Sequence, residues 1–275
     1  MDVLRTVTVA TAICFAASAF ATTDDNESDV GVPDEVVVAN ELRALDDPTI
    51  LKRRMWLDSE YNAYHDGSDD LVETFGWLWA WRLAADQDWA VRIKLPVQFH
   101  DAGDAPGDSN EQGVGDLKIA VGTAWRFGER TRGGVGLELR LPSASDDALS
   151  NNAWQLQQFG SFAWNAADWL TLAPSYEYNN STAVESGTSP KNYLELYFPV
   201  VLLLPDRWAV TPRFELKIDF ANHDDTTHSG KLTIAKQFDP LPLGLALSFK
   251  EAFDSSAKRY QANFIATYYL TKPRP

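Results

Sequence analysis

Hydrophobic and polar positions alternate along most of this chain. Over residues 207–220, Trp208, Val210, Pro212, Phe214, Leu216, Ile218 and Phe220 share one parity, and Thr211, Arg213, Glu215, Lys217 and Asp219 the other. Successive side chains of a strand point to opposite faces, so this segment has one apolar and one charged face. The same period runs through residues 88–99, where Trp89, Val91, Ile93, Leu95, Val97 and Phe99 oppose Arg92, Lys94 and Gln98. It recurs in residues 115–127 (Leu117, Ile119, Val121, Trp125 and Phe127 against Lys118, Gly122 and Arg126) and 259–270. Read this way, the chain holds about twelve strands, approximately 53–64, 73–83, 88–99, 115–127, 133–141, 152–164, 168–179, 192–204, 207–220, 229–239, 243–253 and 259–270. The predicted class is all-β.

The connections separate a soluble sandwich from a membrane barrel. They alternate between mostly long, acidic stretches (65–73, 101–115, 142–152, 180–191, 221–229 and 254–258) and tight ones (84–88, 128–133, 165–168, 205–206 and 239–242). An up-and-down barrel in an outer membrane has short periplasmic turns and longer extracellular loops. A soluble Greek-key sandwich has no reason to alternate in this way. The strand lengths suit a tilted bilayer crossing of about 9–11 residues, whereas sandwich strands average about 5–6. Of 10 tryptophans, six (Trp81, Trp89, Trp125, Trp164, Trp169 and Trp208) flank the short turns, as a headgroup-level girdle requires. The expected architecture is a single up-and-down antiparallel transmembrane β-barrel of about twelve strands over residues 51–270. Its apolar parity faces lipid and its charged parity faces the lumen.

Composition refines the ends and the partners. Arg5, an apolar run and the small-residue pattern Ala19–Ala21 read as a cleaved signal peptide over residues 1–21. Cys14, the one cysteine, lies inside it, so the mature chain carries no disulfide. No later run is apolar enough for a membrane helix. Residues 22–50 form an acidic extension expected in the periplasm, and residues 271–275 a short tail. The formal net charge of −15 argues against a nucleic-acid partner. The acidic residues concentrate in the extension and loops, while most basic residues sit within strands. The expected surroundings are outer-membrane lipid and lipopolysaccharide, with which the acidic loops could share divalent cations.

Residues 112–127, QGVGDLKIAVGTAWRF, with Leu95-Pro96 before them and LELRLPS (137–143) after them, resemble an outer-membrane barrel family labelled as transporters of the phenol-degradation meta-pathway type. In that family a Gly-x-Gly-Asp-Leu opens a strand and a Leu-x-Leu-Pro closes the next. The matching positions are Gly113, Gly115, Asp116 and Leu117, then Leu139, Leu141 and Pro142. The resemblance spans roughly residues 53–270 and implies a transporter barrel. The chain departs from the family at Ser143-Ala144-Ser145, where Thr-Gly is commoner, and at its non-aromatic end.

The lumen parity supplies the candidate solute-binding residues: Arg92, Lys94, Lys118, Arg126, Glu138, Arg140, Arg213, Glu215, Lys217 and Asp219. Two readings stay open. They could line a polar passage whose mild basic excess favours anionic or aromatic solutes, or fill a closed structural or binding barrel with ion pairs. No catalytic residue is assigned: a lipid-modifying hydrolase needs a Ser/His pair, and His228 and Ser229, being adjacent on a strand, point to opposite faces. No cofactor is implied. His223, Asp224, Asp225 and His228 have spacings that could hold a divalent metal, with a solvated loop as the alternative. Residues 33–42, acidic and then Val36-Val37-Val38, resemble the coupling box of receptors driven by the TonB protein. A periplasmic partner could add a strand there, although neither a plug domain nor a barrel of that size fits this length.

Overall fold

The computed structural model describes residues 42–44, 47–101, 111–186, 188–222, 225–238, 241–253 and 258–270. The expected signal peptide, the tail, His223, Asp224 and all of residues 33–42 except Leu42 lie outside the described residues.

Fourteen strand segments form one antiparallel sheet closed on itself. They are β1 (Arg54–Tyr64), β2 (Asp69–Ala84), β3 (Gln87–Asp101), β4 (Glu111–Val114), β5 (Lys118–Arg126), β6 (Thr131–Arg140) and β7 (Ala153–Ala167). There follow β8 (Leu170–Leu172), β9 (Ser175–Val184), β10 (Asn192–Leu204), β11 (Trp208–Asp219), β12 (Asp225–Gln237), β13 (Leu243–Ala252) and β14 (Lys258–Tyr269). β4 and β5 both pair with β3, and β8 and β9 both lie between β7 and β10, so each couple forms one stave. That leaves a barrel of twelve staves. It closes where β1 meets β14 from Arg54↔Tyr269 to Tyr64↔Lys258, which leaves no open edge. Pro174, which has no N–H to donate, marks the break between β8 and β9.

Burial inverts the pattern of a soluble domain. The exposed large side chains include Leu95, Val121, Leu137, Phe162, Phe198, Phe214, Leu232, Leu247 and Phe264, all on the outward parity. The buried side chains include Asn62, Glu138, Gln155, Asn179, Thr211, Glu215, Thr233, Ser248 and Asn263, all on the inward parity. An apolar belt around a polar interior is the arrangement of a membrane barrel, and it removes the sandwich alternative. Register carries it across strands: Leu194↔Ile218, Leu196↔Leu216 and Phe198↔Phe214 face lipid, while Glu195↔Lys217 and Tyr197↔Glu215 face inward. Trp81 and Trp89 are directly opposed next to their turn. Trp164, Trp169 and Trp208 are about half exposed at the same end, completing the girdle.

Several of the long connections are shorter than expected: β9 runs on to Val184, β12 starts at Asp225, and β4 lies inside the expected 101–115 loop. The first connection is only residues 65–68, because Asp69 and Asp70 belong to β2 and pair with Asp101 and His100. These acidic positions read as loop by composition. They are held in the ladder by Tyr61 Oη donating to Asp69 (3.2 Å), Tyr64 Oη donating to Asp70 (2.5 Å) and a 2.5 Å His100–Asp70 contact. The tight turn uses Gly67 at φ +92°. In it, the Ser68 amide and hydroxyl donate to Asp66 and hold its carboxyl below the usual carboxylate range.

The motif that carries the family resemblance is a structural hub. Asp116, fully buried, accepts from the amides of Ser143 (3.2 Å), Ala144 (3.3 Å) and Asn151 (2.8 Å) and from Ser150 Oγ (2.9 Å). Arg140 lies 3.3 Å from its second oxygen. A Cβ on Gly113 would come within 2.2 Å of Ser145 Oγ, and one on Gly115 within 2.2 Å of Gln98 Nε2. Gly113 is therefore fixed by close approach of the loop that follows β6, and Gly115 by side chains of β3.

Candidate solute passage

Cross-strand register arranges the inward charges in sectors. Lys94↔Lys118 and Lys118↔Arg140 make a row of three cations across β3, β5 and β6. Arg213↔Lys231 and Lys231↔Lys250 make a second such row across β11, β12 and β13. Three staves separate the rows on either side (β7, β8/β9 and β10; β14, β1 and β2), so the two rows oppose each other across the lumen. The acidic groups occupy the gaps: Glu177↔Glu195 on β9 and β10, and Asp58 and Glu60 on β1.

Like charges directly opposite one another destabilise a sheet unless something compensates them. In each row a buried glutamate does part of this. Glu138 Oε2 lies 2.7 Å from an Arg92 guanidinium nitrogen and 3.2 Å from Lys94 Nζ. Glu215 accepts from Arg213 Nε (2.6 Å) and Ser229 Oγ (3.2 Å) and pairs with Lys250. Lys118, in the middle of the first row, has no carboxylate within 4.0 Å among the described residues. Lys217 places its ammonium 4.3 Å over the Tyr193 ring. Glu195 and Glu177 share one donor, Tyr197 Oη, at 3.0 and 3.4 Å.

Eight of the ten residues expected in the lumen thus come together in the two opposed sectors. The other two share the inward parity but sit at opposite mouths. Arg126, beside the β5–β6 turn, lies 3.4 Å from Asp88. Asp219 accepts from the Ala221 amide (3.0 Å) and Asn222 Nδ2 (2.9 Å), closing the turn after β11. Of the metal candidates, Asp225 stands opposite Asp219 and faces inward, whereas His228 stands opposite Leu216 and faces outward, near Phe214. Ser229 faces inward, so it and His228 do point apart.

A cavity of about 360 Å³ opens among Tyr64, Glu195, Tyr197, Lys217, Lys250 and Lys258. Elsewhere in the lumen, Gln155 Nε2, Ser161 Oγ, Ser248 Oγ and the Gln237 amide are buried with no hydrogen-bond partner among the described residues. Buried polar atoms are normally satisfied by protein or water, and these four positions suit water.

The turn end of the lumen is occupied by the chain itself. Leu42 packs against Ala209, Ala235 and Ala246, all inward-facing on β11, β12 and β13. Arg43 donates to the Asp168 carbonyl (2.5 Å). Asp47, fully buried, lies 2.7 Å from an Arg132 guanidinium nitrogen on β6. Leu51 reaches Leu78, Ala80 and Ala90 on β2 and β3. The inward positions here are small (Ala80, Ala90, Ala120, Gly122, Ala124, Gly134), which makes room for the segment. A void of about 70 Å³ remains between Pro48, Ile50 and Leu51 and that wall. The last part of the acidic extension therefore lies inside the barrel. Its signal was the run of alanines and glycines on the inward parity beside the turns.

No family model matches the chain, and no curated relative matches it. Solved structures do. An outer-membrane channel from Pseudomonas putida F1 aligns with a TM-score of 0.67 at 13% identity, covering 80% of this chain and 96% of its own. The NanC porin aligns at 0.54 and 10% identity, covering 78% and 98%. The CymD monoaromatic hydrocarbon channel aligns at 0.52 and 9% identity, covering 84% and 92%. At these identities the likeness shows the fold, that of an outer-membrane barrel, and each of these proteins is a channel or porin.

Proposed function

We propose that this chain is a channel of the bacterial outer membrane, passing small polar solutes through its charged lumen and favouring those with an anionic group. The observation that carries this reading is the pair of opposed three-cation rows, Lys94-Lys118-Arg140 and Arg213-Lys231-Lys250. Rows of cations raise the local concentration of anions and lower the barrier to their entry. The cavity beside the second row supports passage over a solid filling, as do polar atoms suited to water. A solute with an aromatic ring, the class that the phenol-pathway resemblance suggests, would meet Tyr64 and Tyr197 on the cavity wall. The lipid hydrolase alternative gains no support, since His228 and Ser229 face opposite sides of the wall.

Swelling of proteoliposomes in anionic, neutral and cationic solutes of matched size tests the preference. Faster entry of the anion, reversed when Lys118 and Lys217 are both changed to Glu, is the expected result. Equal entry of all three in the unaltered barrel would contradict it.

A further inference from the structure

Resting on the channel reading, we infer that the lumen holds a binding site for a small zwitterion, its ammonium taken by Glu195 and Glu177 and its carboxylate by Lys217.

Four observations meet at one place. Glu177 and Glu195 stand directly opposite each other on β9 and β10. Two facing carboxylates repel, which favours a cation between them. Their shared hydrogen-bond donor is the neutral hydroxyl of Tyr197, at 3.0 and 3.4 Å, and no Lys or Arg nitrogen of the described residues comes within 4.0 Å of either. Lys217 is the direct cross-strand neighbour of Glu195, yet its ammonium rests over the Tyr193 ring at 4.3 Å. Finally, Glu195, Tyr197 and Lys217 all border the cavity of about 360 Å³.

The two buried glutamates of the cation rows are compensated differently. Glu138 and Glu215 are each bracketed by two cations, so neither needs a ligand. At Glu195 and Lys217 an acid and a base lie side by side without joining. Directly opposed residues have Cβ atoms about 4.5–5.5 Å apart. Their tips can therefore receive opposite charges separated by a few bonds, as in an amino acid. A simple anion would satisfy Lys217 and add to the repulsion from the glutamates. A simple cation would satisfy the glutamates and face Lys217 and Lys250. The zwitterion meets both demands.

Calorimetric titration of the refolded full-length mature barrel with glycine, methylammonium and acetate tests the site without requiring transport. Glycine should bind at least about tenfold more tightly than either half-molecule. Glu195→Gln and Lys217→Met should each erase that advantage, and Glu177→Gln should reduce it if either of those variants fails to fold. Glycine binding no tighter than acetate would overturn the inference. Bilayer conductance on the same preparation separates the two claims. A barrel that binds glycine selectively but carries no current keeps the site and removes the channel reading. One that conducts but shows no glycine advantage keeps the channel and removes the site.

Discussion

Asp47 Oδ2 lies 2.7 Å from a guanidinium nitrogen of Arg132, tying the segment before the first strand to the inner wall of β6. Thr49 reinforces the contact: its amide and hydroxyl donate to Asp47 Oδ1 at 2.9 and 2.5 Å, and Arg132 Nε donates to its hydroxyl at 3.2 Å. Removing one partner of a buried ion pair costs about 3–5 kcal/mol, and here the loss falls on the seated segment. Asp47→Ala should therefore raise single-channel conductance, and deletion of residues 42–50 should raise it further. Unchanged conductance in both would mean that the segment does not limit the passage.

Asp116 links β5 to the loop after β6 through four donors and Arg140. Asp116→Ala strands those donors and leaves the partly exposed Arg140 without its ion-pair partner, a loss of roughly 1–3 kcal/mol. The expected outcome is a lower urea midpoint and new protease cleavage within residues 141–152 of the reconstituted barrel. A variant with the midpoint of the parent would show that the hub is redundant.

Glu138 offsets Arg92 and Lys94 at 2.7 and 3.2 Å. Glu138→Gln keeps the shape and removes one negative charge from the first cation row. The reversal potential in a KCl gradient should move toward chloride. A shift toward potassium would contradict the placement of Glu138 on the lumen.

Gly76 faces inward under Trp56, where an added Cβ would fall within 1.9 Å of the indole Cε2. Gly76→Val should displace the ring and destabilise the barrel by about 1–3 kcal/mol. The loss would be read as heat-modifiable gel mobility lost at lower temperature.

Particular segments show what the sequence made legible. Residues 207–220 alternate without interruption, and β11 is found at Trp208–Asp219 with the expected face outward. Parity assigns each charge to the lumen because a strand has period two. Depth is a different matter: it depends on strand tilt and stagger, which parity does not encode, so Arg126 and Asp219 share the lumen face but sit at its two mouths. The segment around Asp47 follows no period at all. Its position is set by alanines and glycines scattered over β2, β3, β5, β6, β11, β12 and β13, each unremarkable alone. Tyr193 and Tyr197 escaped notice because only pairing between β9, β10 and β11 brings them beside Glu177, Glu195 and Lys217.

Ion flow tests the central claim most directly. The refolded chain from residue 22 onward would be inserted into a planar bilayer under a KCl gradient, alongside the barrel lacking residues 42–50. Discrete currents in both, larger in the shortened barrel and with a reversal potential on the chloride side, are the predicted result. Two correctly folded barrels that carry no current would contradict the account and leave the ion pairs as the filling of a closed structure.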